Sequence, residues 1–380
     1  MTIYVCIFLL GVAIAYFIKN KKILITFFGL SWFALLSFRN LHMGLYDTLG
    51  TYYDSFKNVK TLVRANGNWL SPTAGPLYSI LMLCFRLFSD NYHLFISLIG
   101  LIVVLSICCL IYFNSSTTID VLLESAAFFS LFYFYSYFLI RQFIAIALIC
   151  SFAFPSLVRK DKIKFVLSVI VAGLIHPTAF IFLLAFPVFL NCRYTLKILF
   201  ASVIISVIGI ISPSIVFSFV NFMDLTNSII TYYKNGVYSN GGGIPGTWFV
   251  YVFLLVAICL LGSKLTDFDN TVMWIVDIGV IFLGWSCVIG EFYRIAIYFL
   301  IFAIFLFPKF RDVCSIQMKN RRFVAFSSDS VGLLVLFFLL IYMVFISANN
   351  AYCNPYVPYW NIWHDFVQWR SSPVTDPGNI

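Results

Sequence analysis

Apolar residues fill long continuous runs along this chain, and short polar connections separate one run from the next. Such runs are typical of helices that cross a membrane, whereas the strands of an outer-membrane barrel alternate polar and apolar positions. The pattern predicts an all-α polytopic membrane protein, with a single integral membrane domain over residues 1–380. The predicted helical runs are 3–18, 23–38, 76–89, 92–113, 121–139, 142–158, 164–176, 177–190, 196–220, 247–262, 271–289, 292–307 and 330–348.

Basic residues cluster on alternate connections and indicate the sidedness of the runs. Short loops rich in Lys and Arg face the cytoplasm, and fifteen of the 24 bases lie on such connections. The alternation places outer-face loops at 39–75 and 221–246 and an outer-face tail at 349–380. The cytoplasmic bases are Lys19, Lys21, Lys22, Arg159, Lys160, Lys162, Lys164, Arg193, Lys197, Lys264, Lys309, Arg311, Lys319, Arg321 and Arg322.

The run 76–89 conflicts with this alternation if it crosses the membrane. As a helix it would reach only about 21 Å, which is less than the roughly 30 Å of a hydrocarbon core. We therefore predict a re-entrant or interfacial helix at 76–89, about twelve transmembrane helices in addition, and both chain ends outside.

Composition excludes several classes of protein. Of the 380 residues, 62% are hydrophobic and 10% are charged, against about 45–50% and about 25% in soluble domains. A soluble enzyme, a DNA-binding protein and a disordered scaffold are therefore excluded. The net charge of +9 comes from bases around the runs and does not indicate a nucleic-acid partner. The ten cysteines show no spacing typical of a disulfide framework or a zinc site.

Nine bases lie on or near the predicted outer face, where the positive-inside rule does not place them. Arg39, Arg141 and Arg294 each lie where a predicted span meets that face. A guanidinium group can bind phosphate through two parallel hydrogen bonds, and ionisable groups at membrane depth commonly mark function. Their shared side favours a phosphate-binding role over the alternative, in which each pairs with an acid such as Asp47 or Glu291. The nine are Arg39, Lys57, Lys60, Arg64, Arg86, Arg141, Lys234, Arg294 and Arg370.

Further candidates lie on the same predicted face. His176 is at a turn between two runs, where it could act as a base, an acid or a donor near neutral pH; the alternative is a structural histidine beside Pro177. Asp47 with Tyr52 and Tyr53 combines a carboxylate with rings that can stack on sugars, although interfacial tyrosines are common in membrane proteins. No ligand spacing predicts a metal site, and no motif predicts a cofactor.

Two segments carry a resemblance to a known family. Arg39-Asn with Gly44-Leu-Tyr-Asp47 and Tyr52-Tyr53 resembles the Arg…Gly-x-Asp…Tyr outer-loop motif of EpsG-like proteins, the Wzy-type O-antigen and exopolysaccharide polymerases. Leu139-Ile-Arg-Gln-Phe-Ile-Ala145 is similar to the IRQ-x-(I/L)-A motif of that family.

Later segments match in the same order. Ala172-Gly-Leu-Ile-His-Pro-Thr-Ala179 is similar to the family's A-xx-(I/F)-H-x-(S/T)-A motif, from which Pro177 departs. Tyr293-Arg294-Ile and Asn354-Pro-Tyr356 also fit. A second departure is Ala74-Gly-Pro76, which lacks the Glu expected there.

The resemblance implies a membrane glycosyltransferase with a fold similar to that of GT-C glycosyltransferases. The family is implied to polymerise polysaccharide such as O-antigen, as in lipopolysaccharide biosynthesis, on the outer (periplasmic) face of the bacterial cytoplasmic (inner) membrane. The growing glycan leaves undecaprenyl diphosphate and joins the non-reducing end of a new lipid-linked repeat unit. The implied partners are the undecaprenyl-diphosphate-linked oligosaccharide, membrane lipid and a chain-length-regulating co-polymerase, and no cofactor is implied.

This chemistry suggests a role for each candidate. Because charge builds on the departing diphosphate, preorganised cations stabilise the transition state; we assign this role to Arg141 and Arg294, with Arg39 as a third donor. His176 is the first choice for the base, followed by Asp47 and then Glu291. The predicted substrate-binding residues are Arg39, Tyr52, Tyr53, Gln142, Glu291, Tyr293 and Tyr356.

Three alternatives use the same pattern differently. A lipid-linked oligosaccharide flippase or another transporter should have charges along a path through both leaflets. An O-antigen ligase should have a longer late outer loop than the 26 residues of 221–246. A membrane acyltransferase would use a cytoplasmic or mid-membrane histidine, and it has no need of outer-face arginines.

Overall fold

A computed structural model describes residues 2–39, 52–66, 75–137, 139–190, 193–222, 245–261, 265–290, 292–317 and 325–349. All regular elements within these ranges are helical. Asp47, Glu291 and Tyr356, and most of the two predicted outer loops and the tail, lie outside the described residues. The α-helices are Thr2–Phe17 (α1), Lys21–Ser37 (α2), Tyr53–Asn66 (α3), Pro76–Phe85 (α4), Tyr92–Asn114 (α5), Thr118–Leu131 (α6), Ile140–Leu148 (α7), Phe154–Val158 (α8), Lys162–Ile175 (α9), Leu196–Ile211 (α10), Pro213–Phe222 (α11), Gly246–Leu261 (α12), Asp267–Trp285 (α13), Phe292–Leu300 (α14), Leu306–Gln317 (α15) and Ala325–Asn349 (α16).

Segments of 3₁₀-helix and one segment of π-helix join some of these α-helices. Residues Tyr133–Tyr137, Pro177–Leu190 and Ile301–Phe305 form 3₁₀ turns, and Ile149–Ala153 forms a π-helical segment between α7 and α8. Every predicted apolar run is helical over most of its described residues, and some of the helices end up to four residues before the predicted ends of the runs. The prediction of an all-helical fold built from apolar helices is therefore confirmed.

Within the described ranges, four helical stretches are long and apolar enough to cross a membrane. A fifth candidate is the bent pair α10 and α11. Shorter apolar helices include α1, α4 and α12, so the predicted count of about twelve spans remains a prediction, as does the re-entrant placement of α4. The four stretches are Tyr92–Asn114, Ile140–Val158, Asp267–Trp285 and Phe292–Cys314.

The predicted run 196–220 is not one straight helix. It bends by 105° between α10 and α11, and Ser212 at the break has non-helical backbone angles. Pro213 follows, and proline both lacks a backbone N–H and disfavours helical geometry in the residue before it. The bend therefore has a local cause in the Ser212-Pro213 dipeptide.

The chain forms two compact units. Unit 1 comprises the described parts of Met1–Ser151, Val171–Pro177 and Leu333–Ile380, and unit 2 those of Phe152–Ile170 and Thr178–Gly332. In unit 1, Trp32 of α2 is fully buried and its ring centroid lies 4.8 Å from that of Phe128 of α6. In unit 2, Phe154 stacks on Phe302 at 4.3 Å.

One helix of unit 1 was absent from the predicted elements. The short helix α3 lies in the predicted outer loop 39–75 and buries Phe56 and Val59 while Lys57 and Asn58 are exposed. With the buried Tyr52, these apolar positions recur at the i, i+4, i+7 spacing of an amphipathic helix. The apolar face of α3 holds Tyr52 against the rest of unit 1.

Candidate functional site

Two arginines and four tyrosines of unit 1 form one connected group, which we call the arginine–tyrosine cluster. Its residues come from the end of α2, the start of α3, the first turns of α4, α5 and α7, and the 3₁₀ turn before α7. Sequence segments that are more than a hundred residues apart therefore meet at one place. The members are Arg39, Tyr52, Tyr78, Tyr92, Tyr137 and Arg141.

Arg141 stands against two tyrosine rings. Its guanidinium carbon lies 5.1 Å from the ring centroid of Tyr52 and 5.9 Å from that of Tyr78. The two rings are themselves 6.4 Å apart and nearly perpendicular, at 66°. A cation over an aromatic face is attracted by the ring quadrupole, so these rings fix the plane of the half-buried Arg141 side chain.

Arg39 is almost fully buried, with 1% of its surface exposed. Its guanidinium carbon lies 4.7 Å from the ring centroid of Tyr137. The Tyr137 hydroxyl donates to the Tyr133 hydroxyl at 3.3 Å, and Tyr133 donates to the carbonyl oxygen of Trp32 at 2.9 Å. This chain of hydrogen bonds fixes the ring under Arg39. Tyr92 lies within electrostatic range of both Arg39 and Tyr52, which links the two arginines through tyrosines.

Arg86 is one of the nine bases predicted at the outer face, and its contacts give it a structural role. Its guanidinium group donates to the backbone oxygens of Phe56 and Lys57 at 3.1 and 2.5 Å, and it pairs with Asp90 at 2.7 Å. Arg86 therefore attaches α3 to the C-terminal end of α4. The aromatic ring of Phe56 packs beside it, 5.0 Å from that of Phe95. This packing holds Tyr52 and Tyr78 in register without Arg86 joining the cluster.

His176 ends α9 in unit 1, where its backbone N–H donates to Ala172 at 2.9 Å and its side chain is half-buried. The start of α4 lies against this turn. A Cβ added to Gly75 would overlap the carbonyl oxygens of Leu174 and Ile175, so only glycine fits there. Tyr78, one turn along α4, reaches Arg141. The first turn of α4 therefore contacts both the His176 turn and the arginine–tyrosine cluster.

Two further predicted substrate-binding residues lie in unit 1. Gln142 follows Arg141 and is buried, with 2% exposure. Tyr53 is 38% exposed and its ring lies 5.3 Å from that of Tyr92, close to perpendicular. Of the predicted tyrosines, Tyr53 keeps an exposed ring, whereas Tyr52 is covered by its neighbours. Direct sugar contact by either stays a prediction.

Arg294 and Tyr293 belong to unit 2. They occupy the first turn of α14, and both are half-buried. One helical turn after Arg294, the Tyr298 hydroxyl lies 3.3 Å from the Thr178 hydroxyl. The predicted pairing of Arg294 with Arg141 in one diphosphate site stays a prediction.

The sequence prediction missed three members of the cluster. Tyr78, Tyr92 and Tyr137 lie within apolar runs, and nothing in their local spacing distinguishes them from other buried aromatic residues. The one available signal is position: Tyr92 begins a predicted run, Tyr78 is the third residue of another, and Tyr137 precedes the Ile-Arg-Gln motif by three residues.

Comparison with known proteins gives one positive result. The model of the EpsG family matches residues 22–361. No curated protein and no solved structure matches this chain. The matched region includes every member of the arginine–tyrosine cluster as well as His176 and Arg294. The chain therefore belongs to the EpsG family, a family of membrane proteins of polysaccharide biosynthesis.

Proposed function

We propose that this protein is a polysaccharide polymerase of the O-antigen or exopolysaccharide type. It transfers the growing glycan from undecaprenyl diphosphate to the non-reducing end of a new lipid-linked repeat unit, on the outer face of the cytoplasmic membrane. Membership of the EpsG family supports this class of reaction. The observation that carries the assignment is the arginine held against two tyrosine rings in unit 1.

The position of Arg141 in its helix favours binding of an anion. It lies in the first turn of α7, whose capping residue Leu139 makes no side-chain hydrogen bond to the helix. A positive side chain is unfavourable at the positive end of the helix dipole, and the first backbone N–H groups of a helix lack partners within it. An anionic ligand bound at a helix start is attracted by the positive side chain and accepts hydrogen bonds from the first backbone N–H groups. A diphosphate bound at the start of α7 would gain both of these interactions.

The transfer step needs charge stabilisation more than it needs new bonds from the protein. A hydroxyl oxygen of the acceptor sugar bonds to the anomeric carbon as that carbon's bond to the diphosphate oxygen breaks. The hydroxyl proton goes to a base, and undecaprenyl diphosphate leaves with the electron pair. Arg141 stabilises the charge that builds on the diphosphate, because its orientation is already set by the rings of Tyr52 and Tyr78.

Arg39 has a different part in this proposal. With 1% of its surface exposed, it adds positive potential to the site without contacting the substrate. It also holds the ring of Tyr137 in place within the arginine–tyrosine cluster. Electrostatic interactions in such a low-dielectric surrounding are much stronger than in water. We therefore assign Arg39 a positioning role and keep direct diphosphate contact for Arg141.

Of the three candidate bases for the proton of the acceptor hydroxyl, only His176 lies within the described residues. His176 is half-buried at the turn against which Gly75 packs, and a histidine can take a proton near neutral pH. Asp47 and Glu291 remain the second and third choices. Arg294 in the first turn of α14 is the second proposed diphosphate donor, at a helix start like that of Arg141.

The test is the surface polysaccharide of a deletion strain with the gene restored in parallel. We expect the deletion to leave a single repeat unit on the acceptor core, and the restored gene to extend it to a ladder on a gel. A core without any unit would instead indicate a flippase or a ligase and would contradict the proposal. Restoration with Lys57→Ala is the matched control, because Lys57 is an exposed base on α3 outside the cluster.

A further inference from the structure

Unit 2 contains a polar cavity that is lined by none of the residues assigned to glycan transfer. Its volume is about 360 Å³. The turn after α8, the end of the 3₁₀ segment Pro177–Leu190 and the first turns of α13 enclose it. By the charge pattern these connections lie at the cytoplasmic end. The lining residues are Lys160, Val188, Arg193, Asp267, Asn270, Thr271 and Trp274.

The cavity presents charges of both signs. Lys160 and Arg193 contribute cations and Asp267 contributes a carboxylate. Arg193 and Asp267 are both exposed, and within the described part of the chain they form no ion pair with each other. Opposite charges that line one cavity without forming an ion pair can bind the two ends of a ligand that itself carries a negative and a positive group.

The position of Lys160 is fixed by the backbone. The residue has a φ of 61° in the turn that closes α8, a conformation that costs free energy for a residue with a side chain. Its ammonium group donates to the carbonyl oxygen of Val188 at 2.8 Å. An ammonium group has three donors, so a ligand oxygen can take another while the group stays anchored.

The remaining polar groups of the cavity are already bonded to the protein. Asn270 accepts from the backbone N–H of Tyr194 at 3.2 Å and donates to Thr266 at 3.1 Å, and Thr271 donates to the Asp267 carbonyl at 2.9 Å. These bonds keep the wall rigid and leave recognition to the three charged groups. The ring of Trp274 also lines the cavity, and indoles are enriched at the level of lipid headgroups.

We infer that this cavity binds a phosphoethanolamine group, the phosphate ester with an ammonium end that forms the headgroup of phosphatidylethanolamine. The phosphate would lie between Lys160 and Arg193, and the ammonium group would donate to Asp267. A phosphatidylglycerol headgroup has the phosphate but no cation for Asp267. A phosphatidylcholine headgroup has the cation but no N–H to donate.

The test is lipid retention by the purified full-length protein in detergent, measured by native mass spectrometry with equal amounts of the three phospholipids. We expect phosphatidylethanolamine to be retained most strongly. Asp267→Asn should remove this preference while phosphatidylglycerol retention stays or rises. Arg193→Gln should weaken retention of all three lipids roughly tenfold or more, because a hydrogen bond to a charged group is lost.

Matched variants and a soluble ligand complete the test. Lys164→Gln removes an exposed base of the same connection that does not line the cavity, and it should leave retention unchanged. Competition by soluble glycerophosphoethanolamine would give the same site a soluble source, whereas competition only by the lipid would assign it to the membrane. Equal retention of the three lipids by the wild-type protein, or an unchanged preference in Asp267→Asn, would overturn the inference. Neither result bears on the polymer ladder.

Discussion

Two arginines of unit 1, Arg39 and Arg141, and two lysines of unit 2, Lys309 and Lys164, lie in different surroundings. In unit 1, Arg39 and Arg141 lie against tyrosine rings, at 4.7 and 5.1 Å from the nearest ring centroids. In unit 2, Lys309 pairs with the Asp269 carboxylate at 2.6 Å and Lys164 with that of Asp161 at 3.1 Å. Both regions contain cations at the ends of apolar helices, and the contacts described above differ: tyrosine rings in unit 1 and carboxylates in unit 2.

The difference separates two uses of a cation. A tyrosine ring holds a guanidinium group by its face and itself adds no opposite charge, so the ring orients the guanidinium plane without neutralising it. A carboxylate neutralises its partner, and the Lys309–Asp269 pair also connects two helices, α15 and α13. We therefore expect changes at Arg39 and Arg141 to reduce function, and changes at the paired lysines to reduce stability.

The largest expected effect is that of Arg141→Ala. Removing a preorganised donor to developing charge should lower the polymerisation rate by about 10²–10³. Arg141→Lys should restore little of it, because an ammonium group cannot make the bidentate contact. The measurement is the polysaccharide ladder of strains with equal protein levels. A full ladder with Arg141→Ala would remove the distinction between the two regions.

Lys309→Gln should act on stability alone. The pair with Asp269 is largely covered, at 19% and 14% side-chain exposure, and that carboxylate also caps α13 through the N–H of Thr266 at 2.8 Å. Loss of the cation leaves a half-buried carboxylate and should cost about 1–3 kcal/mol. Thermal unfolding of the purified protein should show a lower midpoint, while the ladder keeps its length at matched expression.

Tyr52→Leu tests whether the ring matters as a support for Arg141. Loss of one cation–π contact should cost about 0.5–2 kcal/mol, which corresponds to roughly a two- to thirtyfold lower rate. The matched control is Tyr112→Leu, because Tyr112 carries Lys21 at 4.4 Å at the predicted cytoplasmic end of unit 1. Equal ladders from the two variants would show that the cluster is only a packing feature.

Local sequence rules predicted the helices well and failed where a contact or a weaker pattern decided the structure. Apolar runs became helices because a membrane helix satisfies its own backbone and needs no distant partner. The helix α3 was missed because its sequence is mostly polar, although Tyr52, Phe56 and Val59 show the spacing of a buried face. The bend before Pro213 had a local signal that a hydropathy pattern overlooks.

The sequence singled out half of the cluster, namely Arg39, Arg141 and, through the outer-loop motif, Tyr52. Side and position singled out Arg39, Arg141 and Arg294, but they also included Arg86, which pairs with Asp90 four residues later. Residues at that spacing are neighbours on a helix, so the sequence could have suggested the pair, although α4 ends at Phe85, just before it. The ring contacts of Tyr78 and Tyr137 had no such signal, because they join residues that only the tertiary fold brings together.

The smallest effect is expected from Lys164→Gln. The pair with Asp161 is open to solvent, with the lysine side chain 76% exposed, and exposed pairs contribute little to stability. The backbone N–H of Lys164 and then its ammonium group hold the pKa of Asp161 below its usual 3.8. A lowered pKa stabilises the folded state above the unfolded-state value, and that contribution is lost as the pH falls through the lowered value.

The variant keeps the stronger of these two interactions, because the backbone N–H remains. The difference in melting temperature between wild type and Lys164→Gln should therefore be small at neutral pH, shrink with added salt, and vanish in acid as Asp161 becomes protonated. A neutral-pH loss as large as that of Lys309→Gln would contradict this ranking. The stability of unit 2 would then depend on exposed charge pairs as much as on covered ones, and burial of a pair would not determine its contribution to stability.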